Sequence, residues 1–357
     1  MQTLHNLLEP PSLIRHFRDY PPEGFSPVLV EGGVPAFSMS FDLLTTLEPA
    51  ARRRVDALPL AKWWQRLLVR RTCFIGTTVS EYALLPRDTT PEELVGIVSR
   101  LVPAYPFVII KDIPTDATLV GETAFAYSHR FADACREAGF VLVEGQALAY
   151  VPIDFSSIDG YVERLSHVRR RNVRRKLRSR ASLQVEAIPT GDGRFEDETF
   201  LATLYALYCN VYAQSEIHFD RLTAPFFRAV FQDASLDGIV FVYRAGGKLI
   251  GYNFCVCANG MLIDKYVGFA YPEAREHDLY TVSWFHNLEY ALERRFRYYV
   301  AGWTDAEIKR HLGARFTFTL HAVYVRNAIM RTLLRPFKGL FEADRQWHAA
   351  HVPHADS

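Results

Sequence analysis

Cysteine is scarce in this chain. There are five thiols in 357 residues: Cys73, Cys135, Cys209, Cys255 and Cys257. An odd, scattered set is no disulfide framework, and all five read as reduced thiols of a cytoplasmic protein. Cys255 and Cys257 flank a single valine, but no second Cys or Cys/His pair follows at ligand spacing, so no zinc site is expected. Net charge is also lacking. The 41 Lys+Arg residues meet 40 Asp+Glu, which argues against a chain that binds nucleic acid over its whole surface. No apolar stretch approaches the roughly 20 residues that cross a bilayer, so no stable membrane insertion is expected. The N-terminus MQTLHNLLEPPSL has no basic-then-apolar leader, so no signal peptide is expected. Serine-hydrolase elbows, P-loops, H-E-x-x-H helices and G-x-G-x-x-G turns are missing, which leaves triad hydrolysis and metal-assisted hydrolysis without support.

What is present is an ordinary globular composition, 49% hydrophobic and 23% charged, with 25 Phe and 18 Tyr. Aromatics in such numbers suit acyl or aromatic pockets, and equally a plain core. The length fits two domains, or one large α/β domain with additions. Residues 1 to about 35, rich in Pro and Gly, read as a surface arm. Thr77 to Leu85 reads as a strand, and Pro91 with two glutamates opens a helix. The apolar run from Phe107 to Pro114 reads as a buried strand. Thr123 to Ala138 reads as a helix stopped by Gly139, and the run from Val141 as one or two strands. In the second half, Ser182 to Ile188 is a strand, Gly191 to Gly193 a turn, and Phe195 to Gln214 and Ala224 to Gln232 are helices. A meander follows, with Gly246-Gly247 and Asn259-Gly260 as its hairpin turns. A helix from Asp278 to Phe296, a strand RYYVAGW, a short helix DAEIKRHLGA and a strand FTFTLHAVYV complete it. The basic, apolar stretch Ile329 to Phe341 reads as a docked terminal segment or a membrane-surface segment.

Against the neutral total stands one dense cationic run, RRRNVRRKLRSR, Arg169 to Arg180. Local positive charge attracts phosphate or carboxylate. The spacing predicts one helix from Ser156 onward. Its apolar stripe would comprise Ile158, Tyr161, Val162, Leu165, Val168, Val173 and Leu177. Arg170, Arg171, Arg174 and Arg175 fall off that stripe and are expected to face solvent and meet phosphate. Arg169, Asn172 and Lys176 fall on it. There they need partners, either internal salt bridges or a ligand.

Three antiparallel strands, a helix, a strand, a short helix and a last strand is the order of a GNAT-type acetyltransferase core. FVYRAGGKLIGYNFCVCANGMLIDKYVGFA resembles the central hairpins of Fem-type and related uncharacterised peptidoglycan-biosynthesis-like N-acyltransferases. LSHVRRRNVRRKLR is similar to the basic helix before their catalytic half, and YALYCNVYAQSEIHFDRLTAPFFRAVF to their helix, loop and L-T-x-x-F-F segment. WTDAEIKRHLGARF resembles their K-x-x-x-G signature, with Lys309 and Gly313 in the matching places. The resemblance covers roughly residues 105 to 345. It implies an α/β (α+β) fold: a GNAT-like mixed, largely antiparallel sheet flanked by helices, in two tandem GNAT-like halves. The expected partition is an arm (1–35), a degenerate half (36–155), a basic connecting helix (156–181), a catalytic half (182–345) and a tail (346–357). Acetyl-CoA enzymes of this kind commonly carry a glycine-rich pyrophosphate loop after the third meander strand. Here that position reads PEAREHDLYTVS, without glycine.

The implied activity is N-acyl transfer by direct attack of an amine, which needs a proton acceptor and donors for the oxyanion. The expected catalytic set is Asp264, Glu276, His277 and Lys309. Glu276, His277 and Asp278 read equally as a solvated triad, and Asp264 as a carboxylate paired with a neighbouring cation. In a regular strand Asp264 and Tyr266 would face the same side. Substrate-binding candidates are Arg170, Arg171, Arg174, Arg175, Glu216, His218, Tyr266 and Tyr280, with Glu216 and His218 alternatively capping helices. His286 is expected to be a satisfied core or boundary residue. No tightly bound cofactor is expected. The donor would be acyl-CoA or acyl-carrier protein. The alternatives are aminoacyl-tRNA with a peptide or peptidoglycan-precursor amine, and a non-enzymatic phosphate or nucleic-acid binder. A homodimer is compatible with all of these.

Overall fold

A computed structural model describes residues 3–42, 69–215 and 219–327. Glu216, His218 and the stretch Ile329–Phe341 lie outside the described residues. In chain order the first elements are β1 (Leu4–His5), α1 (Pro11–Asp19), β2 (Ser26–Pro27), β3 (Ala36–Asp42), β4 (Val69–Ile75) and β5 (Leu85–Pro86). Next come α2 (Pro91–Ser99), β6 (Phe107–Pro114), α3 (Glu122–Glu137), β7 (Val141–Pro152), α4 (Ile158–Glu163), α5 (His167–Leu177) and β8 (Leu183–Pro189). The remainder are α6 (Glu198–Gln214), α7 (Ala224–Phe231), β9 (Gly238–Ala245), β10 (Lys248–Ala258) and β11 (Met261–Phe269). They end with α8 (Glu273–Glu276), α9 (Leu279–Glu293), β12 (Tyr298–Gly302), α10 (Ala306–His311) and β13 (Arg315–Val325).

These elements form two compact units that interleave along the chain. The first takes the described parts of Met1–Leu8, Gly24–Ala147 and Thr317–Ser357; the second takes Glu9–Glu23 and Leu148–Phe316. Two of the boundaries fall inside β7 and β13, and the other two follow Leu8 and Glu23. Part of the proline-rich N-terminal stretch is helix α1, whose Leu13 and Phe17 are buried.

In the first unit the strand order is β2-β3-β4-β6-β13-β7. β3 and β4 are antiparallel, and β4 and β6 are parallel. A parallel pair needs a crossover, and α2 lies in that connection. Its start is fixed by a capping box in which Thr90 and Glu93 exchange side-chain and backbone hydrogen bonds. The expected strand Thr77–Leu85 is instead an irregular buried segment, and the strand is Val69–Ile75. Alternation misled because this loop is buried. The Thr77 hydroxyl accepts from the Ser80 N–H, and the Ser80 hydroxyl donates to the Tyr82 carbonyl. Side chains thus replace ladder partners.

The second unit repeats the scheme, with order β7-β12-β11-β10-β9-β8. β9, β10 and β11 form the expected antiparallel meander, and α9 carries the chain from β11 to its parallel neighbour β12. Each unit thus has an antiparallel hairpin followed by a parallel pair with a helical crossover. This is the mixed, largely antiparallel tandem architecture expected. α6 packs on β11 and α1 on α7. On the other face the core includes Tyr161, Val162 and Val173 of α4 and α5, and Trp284, Phe285 and Leu288 of α9.

The arginine run departs from expectation in one respect. The single helix is broken after Arg164, and α5 starts afresh from Ser166. The break resets the phase of the apolar stripe. Tyr161, Val162, Leu165 and Val173 stay buried, but Val168 is 76% exposed.

Two predictions follow from this packing. Gly313 has φ +98°, and a Cβ there would stand 2.4 Å from the Tyr161 hydroxyl, which donates to the Leu312 carbonyl at 2.6 Å. Gly313→Ala should destabilise the protein by about 2–4 kcal/mol, combining backbone strain with a disturbed buried hydrogen bond. Urea unfolding measures this. His286 is largely covered and stands edge-on against Phe241, with ring centroids 4.6 Å apart. Burial first, then Arg180, lowers its pKa to about 4. Neutral His286 therefore contributes stability that is intact above about 6.5 and lost as pH falls towards 4. Thermal melts across that range should show a shallower acid decline for His286→Gln than for the unsubstituted protein.

Candidate functional site

The site begins where two strands part. β11 and β12 pair at Met261↔Tyr298, Leu262↔Tyr299 and Ile263↔Val300. β11 then runs on to Phe269 paired with β10 alone. The chain from Asp264 to Val267 is partly exposed, whereas Met261–Ile263 and Gly268–Phe269 on either side are buried. This is a window of strand backbone with one edge lacking a strand partner.

A β-bulge falls inside the window: Phe254 pairs Tyr266, while Cys255 pairs Asp264. The extra residue is Lys265. Bulges re-aim side chains, and this one separates two that alternation would place together. Asp264 faces α9. Tyr266 faces the aromatic cluster of α6 and α7, with Phe227 at a centroid distance of 5.5 Å. The expectation that they share a face is corrected on that ground. Lys265 forms an ion pair with Glu9 at 3.1 Å, both side chains almost wholly buried.

Asp264 is held by a polar group that includes three residues the sequence reading missed. Asn253 Nδ2 donates to Asp264 Oδ1 at 2.6 Å, and the Tyr299 hydroxyl donates to Oδ2 at 2.8 Å. Asn287 Nδ2 lies 3.3 Å from Oδ2, 3.1 Å from the Tyr299 hydroxyl and 2.5 Å from Asn253 Oδ1. One amide nitrogen thus faces three acceptors with two hydrogens, while Asn287 Oδ1 is buried without a hydrogen-bond partner. The signal available was Asn253, a lone amide in the apolar run LIGYNFCVCA, since buried amides are kept only with partners. Burial raises the Asp264 pKa above the usual carboxylate value. The hydrogen bonds from Tyr299 and Asn253 and the charges of Lys309 and Lys265 oppose that rise.

Lys309 reaches the same opening from α10. It is 5% exposed, and its Nζ donates to the Ala301 carbonyl at 2.6 Å, just past the last β11–β12 pair. Gly302 (φ +80°) turns the chain there. A Cβ on it would stand 3.8 Å from Lys309 Nζ and 3.9 Å from the Asp264 carbonyl oxygen. Tyr280, near the start of α9, has its pKa raised well above 10 by burial and by the carboxylates of Asp305 and Asp264, so it stays protonated. Lys309 and the Asp264 backbone are therefore brought together beside Gly302, while Tyr280 stands near the start of α9.

Glu276 and His277 are placed differently. Glu276 is exposed at the end of α8. His277 Nδ1 lies 3.1 Å from the Ser182 hydroxyl, which is not a member of the Asp264 group. The loop they occupy contains no glycine. Asp278, at φ +51°, stands at the N-cap position of α9 without a side-chain capping hydrogen bond and lies 3.7 Å from Lys176, while Glu273 pairs with Lys248. Carboxylates thus stand where a helix N-terminus would otherwise meet an anion.

On α5, Arg170 and Arg174 both pair with Glu163, and Arg175 donates to Asn172 Oδ1 at 2.9 Å. Arg171 is exposed. The inward group behaves otherwise. Arg169, Asn172 and Lys176 line a groove of about 240 Å³ between α5, α9 and α10. Arg169 also lines a second groove of about 280 Å³, beside the start of α5 and the end of α10.

Residues 167–310 match the family model of the acetyltransferase (GNAT) domain. The second unit therefore carries an acyltransferase domain of the GNAT type. The fold is similar to the C-terminal domain of a putative lysylphosphatidylglycerol synthetase from Agrobacterium fabrum. That match has 11% identity and a TM-score of 0.52, covering 89% of this chain and 88% of that one. L-PGS from Bacillus licheniformis matches with 9% identity and a TM-score of 0.53, covering 94% and 98%. FemX matches with 12% identity and a TM-score of 0.49, covering 92% and 98%. At these identities the likeness is one of fold. A search of curated proteins finds no match. Among the described residues no helix is long and apolar enough to cross a membrane.

The Asp264 geometry carries its own prediction. A native pKa raised above the unfolded value means that folding binds a proton. This group's contribution to stability therefore falls as pH rises from about 4 through the native pKa. Asp264→Asn should melt a few degrees higher than the unsubstituted protein at pH 8, with the difference vanishing near pH 4. A lower melting temperature at pH 8 would show that the carboxylate is a net structural asset.

Proposed function

We propose that this protein is an N-acyltransferase whose reaction takes place at the parting of β11 and β12. The carrying observation is that one opening holds free-edged strand backbone, a partly buried carboxylate of raised pKa and a buried lysine ammonium. In the proposed reaction an amine attacks the carbonyl carbon of a bound ester or thioester. A C–N bond forms and the C–O or C–S bond breaks. The amine's proton passes to Asp264, and the departing oxygen or sulfur takes a proton in turn. A carboxylate with a raised pKa is a better proton acceptor for this step than one at its ordinary value. The positive charge of Lys309 and the window's backbone N–H groups favour the oxyanion. Tyr280, protonated and near the start of α9, is assigned to orient the acceptor.

The donor favoured by the geometry is an acyl ester on tRNA over acyl-CoA. In CoA-using enzymes of this fold the pyrophosphate rests on a glycine-rich loop before the helix that corresponds to α9. Here Glu273, Glu276 and Asp278 occupy that loop, and without glycine the backbone cannot close tightly round a phosphate. The cationic surface lies instead on α5, where Arg171, Arg174 and Arg175 are exposed and Arg170 is partly so, four guanidinium groups against the one carboxylate of Glu163, a surface suited to a nucleic-acid backbone. A peptide or other small-molecule amine serves as acceptor.

Transfer assays with labelled aminoacyl-tRNA and with acyl-CoA test both parts. Transfer from aminoacyl-tRNA is expected, falling steeply with salt. Asp264→Asn should reduce it by roughly 10²–10⁴-fold, and Lys309→Met should also lower it. Unchanged rates in both variants would overturn the assignment of the site, and transfer from acyl-CoA alone would overturn the donor.

A further inference from the structure

The second groove is a concave space of about 280 Å³ to which four arginines contribute, Arg164, Arg169, Arg310 and Arg315. They come from three separate places. Arg164 ends α4, Arg169 lies in the first turn of α5, and Arg310 and Arg315 flank the link from α10 to β13. One carboxylate, Asp154, shares the lining. It is engaged by Arg164 and lies 3.9 Å from Arg315. Among the described lining residues four arginines stand against one carboxylate, a positive excess at a concave surface that attracts anions. Arg169 is steered into the space by a hydrogen bond from its Nη1 to the Arg310 carbonyl at 3.4 Å.

Two further features fit an anion. Ser166 lines the groove and is the N-cap of α5, yet its side chain makes no capping hydrogen bond, and the first turn of α5 holds no acidic residue. The recess also has an apolar floor, with Tyr161 and Leu165 both buried beneath it. Guanidinium groups converging from several directions match the oxygens of a tetrahedral phosphate, each with parallel N–H donors.

We infer that this groove is a phosphate-binding site, separate from the parting of β11 and β12, in which Arg169, Arg310 and Arg315 hold the phosphate oxygens. The ligand is a phosphate group, either inorganic or the terminal phosphate of a nucleotide. The apolar floor gives the nucleotide a surface on which to rest its base or sugar. The site goes beyond the transfer reaction and stands or falls without it. It also differs from the outward face of α5, where Glu163 already engages Arg170 and Arg174.

Isothermal titration of the full chain with inorganic pyrophosphate and with adenosine 5′-monophosphate, at low salt, tests the inference. Saturable one-site binding is expected, weakening as salt rises. Tighter binding of the nucleotide assigns the site to nucleotide phosphate, and tighter binding of pyrophosphate assigns it to free phosphates. Arg310→Gln and Arg315→Gln should each weaken binding by about tenfold, the worth of one lost charged hydrogen bond. Arg171→Gln, on the outward face, should change it less than about twofold. Arg315 is 60% exposed, so Arg315→Gln decides the matter where circular dichroism shows that Arg310→Gln fails to fold. Asp264→Asn should keep full affinity, so loss of transfer and loss of phosphate binding are separable. An equal loss in Arg171→Gln, or no saturable binding by the unsubstituted protein, overturns the site.

Discussion

The structure of the second unit turns on the limited length of one parallel pairing. β11 and β12 share three residue pairs and then part. Every strand carries a full row of backbone donors and acceptors, so a parting inside a sheet creates unmet hydrogen-bonding demand. Three features answer it. Lys309 places its ammonium on the Ala301 carbonyl. Gly302 takes a positive φ that lets the chain turn away. The bulge at Lys265 twists Asp264 towards Asn253, Asn287 and Tyr299. What remains of the opened backbone is the window, and the proposed chemistry uses that remainder.

The first unit meets the same demand differently. Its parallel pair β4–β6 ends at Ile75↔Ile110. Lys111, the next residue, donates to the Thr77 carbonyl at 3.3 Å and pairs with its own neighbour Asp112. Asp112, at φ +62°, donates its backbone N–H to His321 Nδ1 at 3.0 Å. Both units thus put a lysine ammonium on a carbonyl where parallel strands separate. In the first unit the cation comes from the strand and is neutralised at once by the adjoining carboxylate. In the second it comes from a helix, and the carboxylate it faces is held by amides and a phenol. The two openings thus differ in where the cation comes from and in what holds the carboxylate beside it.

Elements governed by local signals were legible in the sequence. The meander followed from its Gly-Gly and Asn-Gly turns, α3 from Gly139 and α2 from Pro91 and its glutamates. Lys309 and Asp264 were singled out from resemblance and from a carboxylate in a strand. Features that arise from pairing were not legible. The bulge at Lys265 depends on β10 as much as on β11, so alternation alone placed Asp264 and Tyr266 together. Asn287 and Tyr299 join Asp264 from a helix and a strand more than 20 positions away, and no local pattern marks them. The break at Ser166 was concealed because Leu165 and Val168 have helical spacing, although Val168 ends exposed.

The arginine run shows how the break redirects side chains as well as the helix axis. In one continuous helix, Arg169 on the apolar stripe would have needed burial against a partner. Restarting the helix at Ser166 brings Arg169 beside the end of α10, where it faces two grooves and bonds the Arg310 carbonyl. Lys309 and Arg310 are consecutive on α10, one directed to the strand opening and the other to the arginine-lined groove.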